Sequence, residues 1–392
     1  VTSRDTARPS LDLLRSLTDE HVLRALMRQR RLTRAGLAAD TGISKPSVGE
    51  SVRRLALAGL VADTGERTPG GRGRGRVGTY YALAAEAGAV LAVSVDPEGI
   101  TAELVDAYGD TVMRAETGLG RPAAPQQVAA ALRATAERAV GGGPMIRTAV
   151  VSAAGPVDRV TGRLVRLPDE PFRLGELDAA AVLRPLVSGP VIVDNDVNWA
   201  ARAERDAAGH GQDGDFAYLF LGEGLGAAIV SSGDVVRGHV GLAGEVAHII
   251  VPGSSATRFI DVFGLLGLRQ PGTTAIDVPR LLAVATGPGS GAAVRESIAQ
   301  AVSGVLAALT ALADPEFVVV GGPWGAQPVI LEVITAQAAR LPRPVTIRPA
   351  AVTSEPSLAG ARAESLSLLR SAILRDARDR AGTTAAVVRD AR

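Results

Sequence analysis

The chain has 392 residues, 46% of them hydrophobic and 21% charged, which suits two or three domains that each bury a core and excludes a disordered chain. It contains no cysteine, which excludes disulfides, thiolate zinc sites and cysteine nucleophiles. The net charge of +1 is unevenly placed: residues 1–82 hold 15 Lys and Arg against 8 Asp and Glu, and the remainder holds 27 against 33. A basic module expected to meet polyanions therefore precedes an acidic one, the plain alternative being an excess of solvated arginines.

The basic module opens with "DEHVLRALMRQR" at 19–30, where Val22, Leu23, Leu26 and Met27 share one face of a helix. A second short helix is expected in "TRAGLAADTG", with Thr33 as N-cap, Leu37 and Ala38 inward, and Gly42 as the stop. Ser44 caps a third, "SKPSVGESVRRLALAGL", which tolerates Pro46 in its first turn and buries Val48, Val52 and Leu55. Two helices joined by a tight turn form the helix-turn-helix plan. On the third helix Lys45, Ser47, Gly49 and Glu50 are candidates for base readout, and Arg53 and Arg54 for phosphate contact. Strands from Val61 and from Val77 to Leu83 make a β-hairpin wing, whose Arg72, Arg74 and Arg76 alternate with glycines and suit a minor groove or phosphates. A structural bundle with a solvated loop is the alternative.

Strands then alternate with helices. "AVLAVSV" and "ITAELVD" are joined by the turn "DPEG" and followed by "TVMRAE". A helical pattern covers 125–139, and "RTAVVSAAGPV", "VIVD", "FAYLFLG", "GAAIVSSG" and "FVVVGG" read as strands. This is an α/β fold with a mixed sheet, and the strand pairs at 89–106 and 216–231 suggest two related lobes around a cleft. The most apolar run, near 299–313, reads as too short for a membrane span and is interrupted by Ser303, and no export signal opens the chain, so a cytoplasmic address is expected.

The ordered set of a winged helix-turn-helix, "DNDVNWAARAE", "LGEGLGAAIV", "GEVAHI", "VVVGG" and "LAGARAESLSLL" resembles the ROK family, which unites sugar-responsive repressors with bacterial sugar kinases. The resemblance implies a winged helix-turn-helix at 1–82 and an actin-like (ribonuclease H-like) two-lobed α/β domain at 83–392. Lobe one would span about 83–194 plus a terminal helix at about 355–376, and lobe two about 195–354. It implies that Asn195 hydrogen-bonds sugar hydroxyls, that Asp196 stands where kinases keep their general base, and that Glu245 and His248 contact the sugar. Read as residues alone, Asn and Asp ahead of a helix also serve as caps, and a Glu-x-x-His pair can be structural or hold metal.

Departures from the family pattern point away from catalysis. Kinase members carry D-x-G-x-T after the first strand; here "DPEGIT" loses a donor at Pro97 and gains an acid at Glu98, and "GEGLG" brings in Glu223. Most members follow the pocket histidine with a zinc motif of three cysteines, and "IIVPGSSATRFID" is shorter than that motif, with Asp261 standing in for its final glutamate. The expectation is a DNA-binding regulator, a repressor, without catalytic residues, metal or cofactor. It would read an inverted-repeat operator in double-stranded DNA as a homodimer or homotetramer and answer to a sugar or sugar derivative held by Asn195, Asp196, Glu245, His248 and Asp261. The alternatives are an ATP-dependent hexose kinase with an appended DNA-binding domain, and a ligand-independent regulator with a decayed sugar pocket.

Overall fold

The computed structural model describes residues 11–68, 77–121, 123–167, 177–207, 214–253, 256–287 and 291–390. The first described elements are α1 (Leu11–Gln29), β1 (Arg31–Thr33), α2 (Arg34–Thr41), α3 (Lys45–Leu57), β2 (Val61–Arg67) and β3 (Thr79–Leu83). Local chemistry sets these boundaries. The Thr33 hydroxyl accepts the Gly36 N–H at 3.0 Å, and Gly42 ends α2 at φ 70°, a left-handed conformation that costs glycine no Cβ clash. The Ser44 hydroxyl accepts the Ser47 N–H at 3.3 Å. Val48, Val52 and Leu55 of α3 are buried against Leu37 and against Val22, Leu23 and Leu26 of α1. The wing is a three-stranded sheet of order β1-β3-β2. Its second long strand starts at Thr79 rather than at Val77, and β1, with only three residues, has too short a pattern to be read from sequence.

Two five-stranded sheets follow, built on one plan. The first takes β4 (Ala89–Val95), β5 (Gly99–Val105), β6 (Thr111–Gly118), β7 (Ile146–Ala153) and β8 (Val191–Asn195) in the order β6-β5-β4-β7-β8. Between its strands lie α4 (Pro125–Val140) and α5 (Ala179–Leu183), and α6 (Asp196–Ala207) follows β8. The second sheet takes β9 (Phe216–Leu221), β10 (Leu225–Ser231), β11 (Asp234–Val235), β14 (Phe317–Gly321) and β15 (Thr346–Pro349) in the order β11-β10-β9-β14-β15. In each, three consecutive strands pair antiparallel and two later strands add in parallel. The repeated strand pair noticed in the sequence is thus the start of a repeated sheet.

The second sheet also holds β12 (Ile250–Val251), β13 (Thr257–Arg258), α7 (Phe259–Leu265), α8 (Val278–Thr286), α9 (Gly291–Ala313) and α10 (Pro328–Ala338) within its connections. The apolar run expected to be short is in fact the 23-residue α9, long and apolar enough to cross a membrane by length and composition. Its Ile298, Val302, Val305 and Leu309 are buried in the core of this lobe with Phe259, Phe263 and Trp324. The chain ends in α11 (Pro356–Asp390), which runs well past the expected end near 376.

α11 packs against β4 and β7, against α6 and against α1. Contact with α6 is close because a Cβ on Gly360 would fall 1.9 Å from the Trp199 carbonyl oxygen. Val90 and Val105 of the first sheet, Leu369 and Ile373 of α11, and Val22 and Leu26 of α1 all belong to one buried apolar cluster. The DNA-binding module is therefore seated on the first lobe through a shared core.

Candidate ligand cleft and DNA-binding surface

A cleft of about 850 Å3, its open mouth included, lies between the two sheets. Gly155 and Pro156 come from the first lobe, Asn195 and Asp196 from the β8–α6 junction, and Glu245 and His248 from the second lobe. Four of the five residues expected to hold the ligand are thus brought together.

The junction is densely wired. The Asn195 side-chain Oδ1 accepts the Val197 N–H at 2.9 Å and its Nδ2 donates to the Gly155 carbonyl at 2.8 Å. Both capping and cleft lining are combined in one side chain, and one amide hydrogen is left for a ligand. Asp196 Oδ1 also accepts the Val197 N–H at 2.9 Å. Beneath them Asp194 is buried; it accepts from the Asn195 N–H at 2.9 Å and from Asn198 at 3.0 Å, and it pairs with Arg237. Trp199 donates to the Val151 carbonyl at 3.1 Å and Glu204 accepts from the Ala351 and Val352 N–H groups at 3.0 and 2.6 Å. The motif is thus tied to its surroundings from Asp194 to Glu204, which sets the orientation of the cleft face of α6.

Glu245 immediately precedes a 3-10 turn, Val246–His248, and His248 is its last residue. Two glycines hold it in place. Gly241 sits at φ 99° with the Val157 carbonyl where its Cβ would be, and Gly244 at φ 98° lies equally close to the Ala227 carbonyl. Any side chain at either position would push the turn off the cleft.

The carboxyl groups in the cleft are held from ionising. Burial first, then the charges of Asp96 and Glu245, pushes Asp196 up to about 8 against the pull of the Val197 N–H. Burial also pushes Glu245 up to about 7. Asp96, at the end of β4, is raised by burial and opposed by a 3.0 Å bond from Ser94. Sequence reading passed over Asp96 because Pro97 and Glu98 drew attention to the turn rather than to the aspartate before it. Asp261 lies elsewhere: its carboxylate accepts from Arg258 at 2.6 and 3.2 Å and from Arg269 at 2.7 Å, which holds it below the usual range, and it does not line the cleft.

Asp96 and Gly99 exchange backbone hydrogen bonds at 2.8 and 3.2 Å, closing the "DPEG" turn on itself. Arg121 reaches across the lobes to donate to Glu223 at 2.7 Å and lies 3.8 Å from Glu98. Where the resemblance implied a zinc loop, β12 and β13 form a short hairpin that pairs Ile250 with Arg258 and Val251 with Thr257. Without cysteines, and with no cluster of three His, Asp or Glu among the described residues that could hold a metal, the residues present do not fit zinc.

On the DNA-binding module, Lys45, Ser47, Glu50 and Arg53 are exposed, and a Cβ on Gly49 would meet open space. Glu50 and Arg53 pair at 2.9 Å on the surface. Arg54 turns the other way and donates to Asp19 at 2.7 and 3.3 Å, where Asp19 is buried and also accepts from Ser51 at 2.5 Å. The phosphate contact expected of Arg54 is replaced by this anchor between α1 and α3. Arg72, Arg74 and Arg76 lie outside the described residues. Sequence reasoning missed Arg34, exposed in the first turn of α2, with its guanidinium 5.2 Å over the Tyr81 ring and close enough to Glu50 to act on its charge.

A model described as the ROK family matches residues 90–261, and one described as winged helix-turn-helix DNA-binding matches residues 15–62. The chain carries a ROK family domain behind a winged helix-turn-helix. This chain is 29% identical over 162 residues to a glucokinase of Streptomyces coelicolor, a match covering 41% of this chain and 50% of the glucokinase. It is 28% identical over 101 residues to the xylose repressor of Caldicellulosiruptor bescii, covering 26% of this chain and 25% of the repressor. The matches thus span half or less of these relatives, one of which is a kinase and the other a repressor. A crystal structure of a ROK family transcriptional regulator, described as a homolog of the E. coli MLC protein, superposes with a TM-score of 0.62 at 17% identity over 93% of this chain and 99% of that one. The shared fold is the winged helix-turn-helix followed by the actin-like α/β domain.

Proposed function

We propose that the protein is a cytoplasmic DNA-binding transcriptional repressor that senses a sugar or sugar derivative in a cleft that performs no chemistry. The observation that carries this reading is the single buried cluster joining α1 of the helix-turn-helix to β4, β5 and α11 of the ROK domain. A DNA-binding module seated in this way feels any rearrangement of the lobe beneath it. The cleft suits hydroxyl recognition: Asn195 keeps an amide hydrogen free, and Asp196 and Glu245 can donate as well as accept hydrogen bonds near neutral pH. At the interlobe edge Arg121 is already paired with Glu223 and lies near Glu98, so this cation is engaged by carboxylates rather than offered to a phosphate. A sugar that binds one lobe arrangement better than another shifts the population toward it, and with it the spacing of two recognition helices in a dimer.

The test is selection of DNA fragments by the full chain, followed by anisotropy titration of the selected sequence. An inverted repeat bound tightly by the wild type, and weakened by Arg53→Ala with a salt slope shallower by about one, supports the reading. Failure to select any sequence overturns it. A second reading, a hexose kinase with an appended DNA-binding domain, is favoured by Asp196, a recessed carboxyl poised at about 8 at the start of α6. Sugar-dependent conversion of ATP to ADP, lost in Asp196→Asn, would establish it.

A further inference from the structure

The turn between β5 and β6, "DAYGD" at 106–110, lies outside both the cleft and the DNA-binding surface, yet it is gripped from two sides. Its interior is locked: Asp106 Oδ1 accepts from the Tyr108 and Asp110 N–H groups at 2.9 Å each, and the Asp106 and Gly109 N–H groups bond within the turn at 3.1 Å. From α11, Arg370 donates to the carbonyls of Ala107 and Tyr108 at 3.1 and 3.2 Å, and Arg362 to that of Gly109 at 2.6 Å. From the DNA-binding module, Arg30 lays both guanidinium nitrogens on the Asp110 carboxylate. The Tyr108 hydroxyl donates to the Arg30 carbonyl at 3.2 Å and accepts the Leu83 N–H at 2.8 Å.

Arg30 directly follows α1 and Leu83 ends β3, so one turn holds the module at the end of its first helix and at its exit into the ROK domain. The same α11 that grips the turn lies against Trp199 of α6 with no room for a side chain at Gly360, and the first turn of α6 lines the cleft.

We propose that this turn is the relay that ties the position of α3 to the state of the cleft, with Tyr108 and Asp110 as positioning residues; the proposal rests on the regulator reading above. A displacement of α6 reaches α11 through close backbone packing, α11 carries the turn through three guanidinium bonds, and the turn carries Arg30 and Leu83. Because the turn is bonded to itself it moves as a unit, as coupling through a packed element requires.

The test uses the full chain, its selected operator DNA and the sugar that raises its unfolding temperature. Arg30→Gly removes the fork while relieving the backbone, since Arg30 holds φ 66°, a conformation that favours glycine. Tyr108→Phe removes the hydroxyl bridge and leaves the ring. The relay predicts that both variants bind the sugar as the wild type does, while the ratio of operator affinity without and with sugar moves toward one by roughly fivefold or more. Tyr108→Phe also speeds hydrogen exchange at the Leu83 amide. Ratios within about twofold of the wild type in both variants overturn the relay alone. A wild type that itself binds neither operator nor sugar overturns the regulator reading, and the relay with it.

Discussion

Burial holds Asp196 at about 8 and Glu245 at about 7, so in mildly acidic to neutral solution the folded chain keeps protons that the unfolded chain has lost. Both values are raised above the unfolded ones, so their contribution to stability is complete below the ordinary carboxylate range and is lost as pH rises through about 7 and about 8. Each group gives a slope of roughly 1.4 kcal/mol per pH unit inside that window. Urea unfolding between acidic and alkaline pH is expected to show stability falling with pH, and Asp196→Asn to remove part of the fall and stabilise the alkaline protein. A variant with an unchanged pH profile would show that Asp196 ionises freely. The two neighbouring arginines of α3 separate in the same spirit. Arg54→Ala leaves the buried Asp19 with only Ser51 and is expected to cost roughly 1–3 kcal/mol, whereas Arg53→Ala leaves thermal stability unchanged and weakens operator binding. Equal unfolding temperatures for the two variants would contradict the anchor role of Arg54.

At the scale of elements, the close contact of α6 with α11 links the cleft to the helix that carries the DNA-binding module. Gly360→Ala places a methyl group on the Trp199 carbonyl and is expected to cost roughly 1–3 kcal/mol, read as a lower unfolding temperature; a neutral result would mean that the two helices are free to slide apart. The helices and strands that position the site were legible in the sequence where a cap and a period coincided. Thr33 and Gly42 bounded α2, Ser44 and the Val48, Val52, Leu55 spacing defined α3, and β4, β7, β8, β9, β10 and β14 stood out as apolar runs. Short elements such as β1, β11, β12 and β13 were not legible, because two or three residues carry no period. The repeated strand pairs suggested a cleft between two lobes, but its lining was legible only through resemblance: Asn195, Asp196, Glu245 and His248 converge from separate segments, a convergence no local pattern encodes. Arg121 escaped notice because its partner Glu223 lies far along the chain, Asp96 because the turn after it drew attention, and Asp261 was misplaced because the hairpin that replaces the expected loop turns its carboxylate toward Arg258 and Arg269.

At the scale of the whole molecule, two sheets of identical strand order enclose one cleft, and the DNA-binding module rides on the first of them through α11 and the turn at 106–110. Arg121 and Glu223 pair across the interlobe edge, and Asp96 and Gly99 bond to each other across the "DPEG" turn. On the proposed reading, this arrangement closes on a sugar, reports the closure to the DNA-binding module and takes no nucleotide. Thermal unfolding of the full chain against a panel of unphosphorylated sugars, sugar phosphates and ATP tests this directly, since any ligand selective for the folded state raises the apparent melting temperature. The account predicts a rise with a sugar and none with ATP, whether or not that sugar is present. A rise with ATP, or no rise with any sugar, would contradict it.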